Sequence, residues 1–183
     1  HLHSETLVIH TSGATSTHAI KGFNHRGVLW PMLSFKKDQT VNWDQCPILL
    51  GFEMIDDKPR LKRLADLLSV QNKFVSEKER MIYHLAAVWS NNFVNLMMTE
   101  AEIFLTNESL QFEMLVPLIQ QHANKLSIHK PSQLQTGPAA RNDLNTLRKH
   151  LQLMDKTLAD QYVQHSKRIQ QLFSGEMDSS DLI

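Results

Sequence analysis

The sequence predicts a mainly α-helical chain that begins with a small α/β part. Four of the six glycines fall before residue 52, and the next one is Gly137. The long stretch between them is rich in Leu, Met, Ala, Glu, Gln and Lys, a composition typical of packed helices. Before residue 56, short apolar runs alternate with turn-forming residues, which is the pattern of strands.

Three apolar runs predict strands at residues 7–9, 28–30 and 47–52. The first leads directly into His10-Thr11-Ser12-Gly13, which predicts a buried parallel strand ending at the sheet edge where α/β proteins place ligands. A single isolated strand is not stable, because parallel strands need neighbouring strands and covering helices. We therefore expect either that its partners come later in the chain or that this chain is the back part of a larger protein.

Helical spacing of leucines predicts a helix at residues 59–69, and a short extended segment follows at residues 73–75. Ser76 and Glu79 then form a capping-box pattern that begins a long helix running to about Leu105. This helix is apolar nearly all round over residues 81–88, which predicts a position at the centre of a bundle.

Three further helices are expected. One covers residues 111–127 with a kink at Pro117, because proline removes a backbone donor. The next is capped by Asn142 or Asp143 and runs to about residue 153, and the last is capped by Asp155 and runs through Leu172. The predicted organisation is an α/β part at residues 1–75, a helical domain at residues 76–173 and a flexible tail at residues 174–183.

Composition excludes several classes of partner. Lys plus Arg equals Asp plus Glu, at 19 each, so no global charge attracts nucleic acid. No apolar stretch approaches the roughly 18 residues of a membrane span. Cys46 is the only cysteine, which excludes an internal disulfide and indicates a reducing compartment, the cytoplasm. The histidines form no recognised zinc pattern, so no metal site is expected.

Ser12 and Gly13 form the first candidate site. Glycine lets the backbone approach a ligand closely, and the hydroxyls of Thr11 and Ser12 offer hydrogen bonds. The alternative is an ordinary strand-to-helix turn in which Ser or Thr caps the next segment. The motif alone leaves both interpretations open.

The long helix carries the second candidate site. Steps of 100° place His84, Asn91, Asn95 and Glu102 in one stripe, with Asn92 slightly off it. Histidine can exchange protons near neutral pH, and asparagine can hold a carbonyl or an amide. A solvent-exposed face explains the stripe equally well. The two adjacent asparagines lie between bulky aromatic residues, however, and such amides need hydrogen-bond partners.

A third candidate is the loop at residues 136–143. Thr136 and Gly137 begin a rigid turn, and the forked cation of Arg141 could bind a carboxylate or a phosphate. In the alternative interpretation, Arg141 pairs with Asp143 or with a helix C-terminus and braces the loop. The residue types in this loop favour neither interpretation over the other.

A set of motifs in this order resembles the family of Rossmann-like NADP oxidoreductases. In that family a nucleotide-binding fold is joined to a helical domain of unknown function related to the C-terminal domain of 6-phosphogluconate dehydrogenase. The motifs are His10-Thr11-Ser12-Gly13, Trp30-Pro31-Met32 with Ser34-Phe35, Tyr83-His84-Leu85-Ala86-Ala87-Val88, Asn92, and Thr136-Gly137-Pro138 with Arg141 and Asp143.

The resemblance implies the C-terminal part of a Rossmann-like fold, followed by a 6-phosphogluconate-dehydrogenase-like helical domain. It also implies NADP as cofactor, with the Gly-rich nucleotide loop upstream of the His10 segment, in a part that this chain does not contain. Proteins similar to this family dimerise through the helical domain, so a homodimer is expected.

The hypothesis for the site is a pocket for a small substrate, with His84 and Asn92 as the catalytic pair. The expected substrate-binding residues are His10, Ser12, Gly13, Thr136, Gly137 and Arg141, the last holding an anionic group.

One departure concerns the chemistry. Related hydroxyacid dehydrogenases carry a lysine four residues before an asparagine on the corresponding helix, whereas Val88 precedes Asn92 and Ala87 precedes Asn91 by four residues here.

The alternative function is a non-catalytic homodimeric binding or assembly module.

Overall fold

A four-stranded mixed sheet forms the first part of the molecule. The computed structural model describes residues 3–35, 37 and 40–173. The strands are β1 (Val8–His10), β2 (Arg26–Pro31), β3 (Ile48–Phe52) and β4 (Asn72–Phe74), in the order β1-β2-β3-β4. The pairs β1–β2 and β3–β4 are parallel, and β2–β3 is antiparallel. All four predicted extended segments are therefore confirmed to within two residues.

Burial of β1 differs from the prediction. All three of its residues are half-buried, whereas β2 is almost wholly buried. The reason is position, since β1 is an outer strand of the described sheet and β2 lies inside it. The prediction that the first strand runs parallel to its partner is confirmed, and the prediction that it is fully buried is wrong.

Alternate residues of the central strands build two cores, as the pleat of a strand requires. Helix α1 (Lys58–Leu68) contributes the buried Ala65 to one face, packed with Leu29, Ile48 and Leu50. The core on the opposite face is smaller and consists of Val28, Trp30 and Leu49, with Met32 and Val75 packed against them.

The predicted long helix forms as three consecutive segments. These are α2 (Glu77–Ala87), a π-helical turn (Val88–Asn92) and α3 (Phe93–Asn107). The capping box is confirmed, because Ser76 Oγ accepts from the N–H of Glu79, and the Glu79 side chain accepts from the N–H of Ser76. The end at Asn107 lies two residues beyond the predicted one, and the π turn was not predicted.

The predicted position of this helix at the centre of a bundle is wrong for the chain described. Large apolar side chains of this helix remain exposed between Met81 and Ile103. They are Met81, Ile82, Tyr83, Leu85, Trp89, Phe93, Val94, Leu96, Met97 and Ile103.

The chain divides into two compact units, His1–Leu110 and Gln111–Ile183. The second contains α4 (Val116–Lys125), α5 (Leu144–Leu151) and α6 (Lys156–Phe173). Its core is Ala139 and Leu147 with three partly buried neighbours, Leu144, Tyr162 and Ile169. The predicted boundary at residue 75 stays a prediction, and the tail at 174–183 lies outside the described residues.

Two features of the second unit test the helix predictions. Pro117 lies in the first turn of α4, where the missing N–H is not needed, so the predicted kink inside a longer helix is wrong. The Asp143 side chain accepts from the N–H of Thr146, and Asp155 Oδ1 accepts from the N–H of Leu158. Both predicted caps are therefore confirmed, with Asp143 rather than Asn142 as the cap of α5. Across the described residues, no helix is long and apolar enough to cross a membrane.

Candidate functional site

The loop after β1 is held by its own side chains. The N–H of Ser12 donates to Nδ1 of His10 at 3.2 Å, and Nε2 of His10 lies 3.2 Å from the carbonyl oxygen of Ser16. His10 is therefore neutral, with its proton on Nε2. Burial lowers the pKa of His10, although the hydrogen bond to the Ser16 carbonyl opposes the shift. Oγ of Ser12 accepts from the N–H groups of Ala14 and Thr15 and from the Thr15 hydroxyl.

A buried arginine on α2 anchors the same loop. Nη1 of Arg80 donates to the carbonyl oxygens of Ser12, Gly13 and Thr15 at 3.0, 3.0 and 2.7 Å. Only 2% of Arg80 is exposed. Burial lowers the pKa of this guanidinium, and the nearby carboxylate of Glu77 opposes that shift. The cation thus fixes the backbone of the loop relative to α2.

Gly13 is the point where the loop meets β2 and α2. A Cβ atom at this position would lie 2.6 Å from Cδ2 of His84 and 2.6 Å from Cε2 of Trp30, well inside van der Waals contact. The rings of Trp30 and His84 have centroids 5.6 Å apart. Only a residue without a side chain allows the loop backbone to contact both rings.

A groove of about 570 Å³ opens beside these rings. One wall comes from the end of β2 and the residues after it, and the other comes from the end of α2 and the π turn. A π turn widens a helix by accommodating one extra residue, and such turns occur frequently at functional sites. The groove is lined by Trp30, Met32, Leu33, Ser34, Tyr83, His84, Ala86, Ala87, Val88, Ser90, Asn91 and Asn92.

The groove lining combines apolar and polar side chains but carries no Asp, Glu, Lys or Arg. Seven of its side chains can form hydrogen bonds, and none of the seven bonds to another described residue. They are Trp30, Ser34, Tyr83, His84, Ser90, Asn91 and Asn92. The loop after β1 is different, since the Oγ of Ser12 accepts three hydrogen bonds there. The groove therefore presents donors and acceptors that the described chain does not use.

The structure brings His84 and Asn92 together in this groove, with Asn91 beside them. Asn95 and Glu102, from the same predicted stripe, do not line it. Both lie in α3, beyond the π turn, whereas the lining residues of the long helix end at Asn92.

The predicted residues of the first loop lie beside the groove rather than on its wall. Gly13 contacts His84, and the hydrogen bonds of His10 and Ser12 hold the loop. Both interpretations of the Ser12 turn thus have support, because it caps a turn and also brings the backbone close to the groove. The predicted contacts of His10, Ser12 and Gly13 with substrate stay predictions.

Thr136, Gly137 and Arg141 lie in the second unit, before α5. Gly137 has a φ of +105°, a conformation that favours glycine, and a Cβ there would meet nothing within 4 Å. Arg141 is exposed and forms no ion pair with a described residue. Hydrogen bonds from Thr146 lower the pKa of Asp143, and the charge of Arg141 adds to that shift. The substrate-binding roles of these three residues stay predictions.

Sequence reasoning missed Arg80 and a second buried charge. Asp57 is fully buried, with both carboxylate oxygens 3.0 Å from Nδ1 of His25 and a hydrogen bond from Arg60. Nε2 of His25 lies 3.2 Å from Glu5. No local signal separates these residues from ordinary surface charges, because their burial depends on loops distant in sequence. Within the described part of the chain, no group of His, Cys, Asp and Glu could hold a metal ion.

Comparison with known proteins identifies the family. Residues 51–169 match the model of a domain of unknown function, DUF2520. The chain belongs to the DUF2520 family. The matched range begins in β3 and includes the whole long helix with its π turn, so His84 and Asn92 lie inside the DUF2520 region and Gly13 and Trp30 precede it.

Two solved structures extend the comparison. A Bacteroides fragilis protein described as a putative NADP oxidoreductase is 32% identical, with a TM-score of 0.87 over 92% of this chain. A Thermotoga maritima protein is 22% identical, with a TM-score of 0.74 over 92% of this chain, and shows the same fold. The chain spans 66% of the first protein's length and 69% of the second's. No curated protein sequence matches it.

These matches confirm the predicted fold class, a mainly α-helical chain with the small sheet of a Rossmann-like family.

Proposed function

We propose that the whole protein is an NADP-dependent oxidoreductase whose small substrate binds in the groove beside His84. The observation that carries the proposal is the π turn, which presents Asn91 and Asn92 next to His84 with all three side chains free of hydrogen bonds to described residues. The relation to the Bacteroides fragilis protein supports the reaction class.

In this proposal His84 gives or takes the proton that accompanies reduction or oxidation of the substrate, because imidazole exchanges protons near neutral pH. Asn92 holds the reacting carbonyl or hydroxyl by its amide. Gly13 and Arg80 act indirectly. They fix the loop against the ring of His84 and so limit the orientations of the imidazole.

The described residues do not by themselves fit a dinucleotide. A phosphate-cradling site needs a Gly-rich turn that opens a helix, and the turn at Gly13 leads instead into the short segment Thr17–Ala19. We therefore propose that NADP is held by a nucleotide-binding part outside this chain, and we derive no step through it. The chain's coverage of 66% of its Bacteroides fragilis relative leaves room for such a part.

Further elements of the proposal concern the rest of the protein. The helical domain is related to the C-terminal domain of 6-phosphogluconate dehydrogenase, and two copies associate through it. Arg141 holds an anionic part of the substrate, with Thr136 and Gly137 shaping its loop. The protein acts in the cytoplasm, which the single cysteine Cys46 supports, and it binds no nucleic acid.

The test is calorimetric titration of the full-length protein with NADPH, with NADH as comparison. We expect saturable binding of NADPH and weaker binding of NADH. A full-length protein that binds neither dinucleotide would contradict the proposal.

A second candidate is a homodimeric binding or assembly module without catalysis. The specific observation in its favour is the run of exposed apolar side chains along α2 and α3. Binding of NADPH would count against this candidate, and a strictly monomeric full-length protein would remove its main support.

A further inference from the structure

We propose that the groove accepts an uncharged, planar group bearing a carbonyl or an amide, and that it rejects carboxylates and phosphates. This inference rests on the proposed function, in that it takes the groove as the ligand site. It adds the chemical class of the group that enters.

The first argument is charge. The described lining residues include no lysine or arginine, and His84 is their one titratable nitrogen base. An anion that leaves water needs a cation as partner as well as hydrogen-bond donors, since an unpaired charge is costly to desolvate. A neutral group has no such requirement.

The nearest candidate cation on the same helix is already engaged. Arg80 lies one turn before His84, but it is 2% exposed and does not line the groove. Its Nη1 donates to three carbonyl oxygens of the loop at residues 12–15. Recruiting it for a ligand would break the contacts that hold the loop.

The second argument is hydrogen-bond complementarity. Each asparagine amide offers one acceptor oxygen and two donor hydrogens, so Asn91 and Asn92 together can pair with both the C=O and the N–H₂ of an amide. A carboxylate presents acceptors only and would leave the amide oxygens facing like partial charges. Hydroxyls of Ser34 and Ser90 can serve as either donor or acceptor.

The third argument is shape. The indole of Trp30 and the phenol of Tyr83 contribute flat apolar surface to the same groove. Aromatic faces pack well against planar groups. A planar ring or amide plane is thus accommodated on the aromatic side while its polar edge meets the asparagines.

Two sources of such a group exist in the proposed reaction, namely the substrate and the carboxamide-bearing ring of the cofactor. Their shared chemistry is a neutral carbonyl on a planar framework. Competition between a probe molecule and the cofactor distinguishes these two sources.

Benzamide and benzoate form a matched pair of probes, because they have nearly the same shape and differ in charge. Full-length protein labelled with fluorotryptophan is titrated with each, and the fluorine signal of Trp30 is followed with Trp43, which does not line the groove, as internal reference. We expect benzamide to bind at least about tenfold more tightly than benzoate, equivalent to about 1.4 kcal/mol. Repeating the benzamide titration with saturating NADP⁺ identifies the source: loss of binding indicates the cofactor's carboxamide, and retained binding indicates the substrate.

Variants locate the site. Asn92→Leu should weaken benzamide binding by at least about tenfold, because it removes one amide partner. Asn95→Leu makes the same change on the same helix outside the groove and should leave binding unchanged. Asn91→Lys places a cation at the rim and should bring benzoate binding to the level of benzamide. The asparagines are exposed, so these variants are expected to fold.

Equal or tighter binding of benzoate to the unmodified protein would overturn the inference, as would the absence of a Trp30 response to either probe. Equal effects of the Asn92 and Asn95 variants would also overturn it. The proposed function fails on a different result, the absence of NADPH binding, so the two failures are distinguishable.

Discussion

The tightest steric constraint on a single residue is at Gly13. A methyl group there would overlap His84 and Trp30, each at 2.6 Å. Its φ is not positive, so the expected cost of Gly13→Ala comes from overpacking rather than from backbone strain. Overpacking costs about 1–3 kcal/mol, and we expect a loss of that size in the free energy of unfolding measured with urea.

Gly51→Ala is the matched control for this prediction. Gly51 lies in β3, and the nearest atom to its added Cβ would be 3.8 Å away, an ordinary contact. This substitution should leave stability unchanged or raise it slightly, because alanine has less conformational entropy to lose on folding. Equal destabilisation by both substitutions would contradict the packing described around Gly13.

His10 is expected to make stability depend on pH. Burial holds its folded pKa below the ordinary value of 6.5, so the unfolded chain binds a proton that the folded chain resists. The unfolding free energy therefore falls as the pH drops from about 6.5 towards the folded pKa. Protonation would also break the bond that Nδ1 accepts from the Ser12 N–H.

The measurement is urea unfolding of the parent and of His10→Asn at several pH values between about 5 and 8, the range in which histidine titrates. Subtracting the two curves of unfolding free energy against pH removes the contribution of the other histidines. We expect the difference to shrink as the pH falls, because the parent loses stability that the variant never had. A difference independent of pH would contradict this account of His10.

Single residues were also where the sequence left alternatives open. The chemistry of Ser12 and Gly13 was readable from their types, but their contacts depend on Arg80 and Trp30, which come from distant segments. A charged residue that is buried by partners 65 or more positions away has no local signature.

Among the elements, α2 is expected to depend on Arg80 for its hold on the first loop. Arg80→Met keeps an unbranched apolar stem but removes the guanidinium, and it leaves the Gly13 carbonyl, which is buried, without a donor. One buried unsatisfied acceptor costs about 1–3 kcal/mol, so we expect at least that loss of stability. Amide hydrogen exchange in residues 11–16 should accelerate more than exchange in the sheet.

Lys78→Met is the control, since Lys78 is an exposed residue of the same helix. It should change neither stability nor exchange in the loop. If Arg80→Met left exchange at residues 11–16 unchanged, the loop would be held by its internal hydrogen bonds alone.

Because the π turn positions the asparagines, we expect a variant without this turn to remain helical and to lose ligand binding. Deleting Ser90 removes one residue from the turn and should restore a regular α-helix, with no loss of helical circular dichroism. The rotation between α2 and α3 would change, so Asn91 and Asn92 would no longer share a face with His84. Benzamide binding should be lost, and a deletion variant that binds it normally would show that the π turn is unnecessary.

Element boundaries were largely predictable because their signals are local. Ser76, Asp143 and Asp155 cap the helices that their positions indicated. Pro117 was misread, because helix interior and first turn differ only by where the helix begins. The π turn was not predictable, since its residues fit the apolar and polar spacing of an ordinary α-helix.

For the whole molecule, the fold class could be predicted from the distribution of glycine and apolar runs, and family membership agrees with it. Composition cannot say what covers an apolar face, whether other parts of the same chain or a second copy. This is why residues 81–88 were predicted to lie at the centre of a bundle, although Leu85 and its apolar neighbours are exposed in the chain described.

The exposed apolar side chains of the long helix are expected to form a homodimer contact in the full-length protein. Leu96 and Ile103 are seven residues apart on α3, so they lie on one face, and neither lines the groove. The double variant Leu96→Glu/Ile103→Glu would bury two unpaired carboxylates at such a contact. An unpaired buried charge costs several kcal/mol, so dimer affinity should fall on the order of 100-fold or more.

Sedimentation velocity over a range of concentrations measures this effect, with Val70→Glu as control. Val70 is equally apolar and 84% exposed, but it lies between α1 and β4, away from the long helix. The control should sediment as the unmodified dimer, whereas the double variant should shift to monomer with its circular dichroism unchanged. A double variant that still dimerises with unchanged affinity would place the contact elsewhere, and its exposed apolar face would then need a different partner.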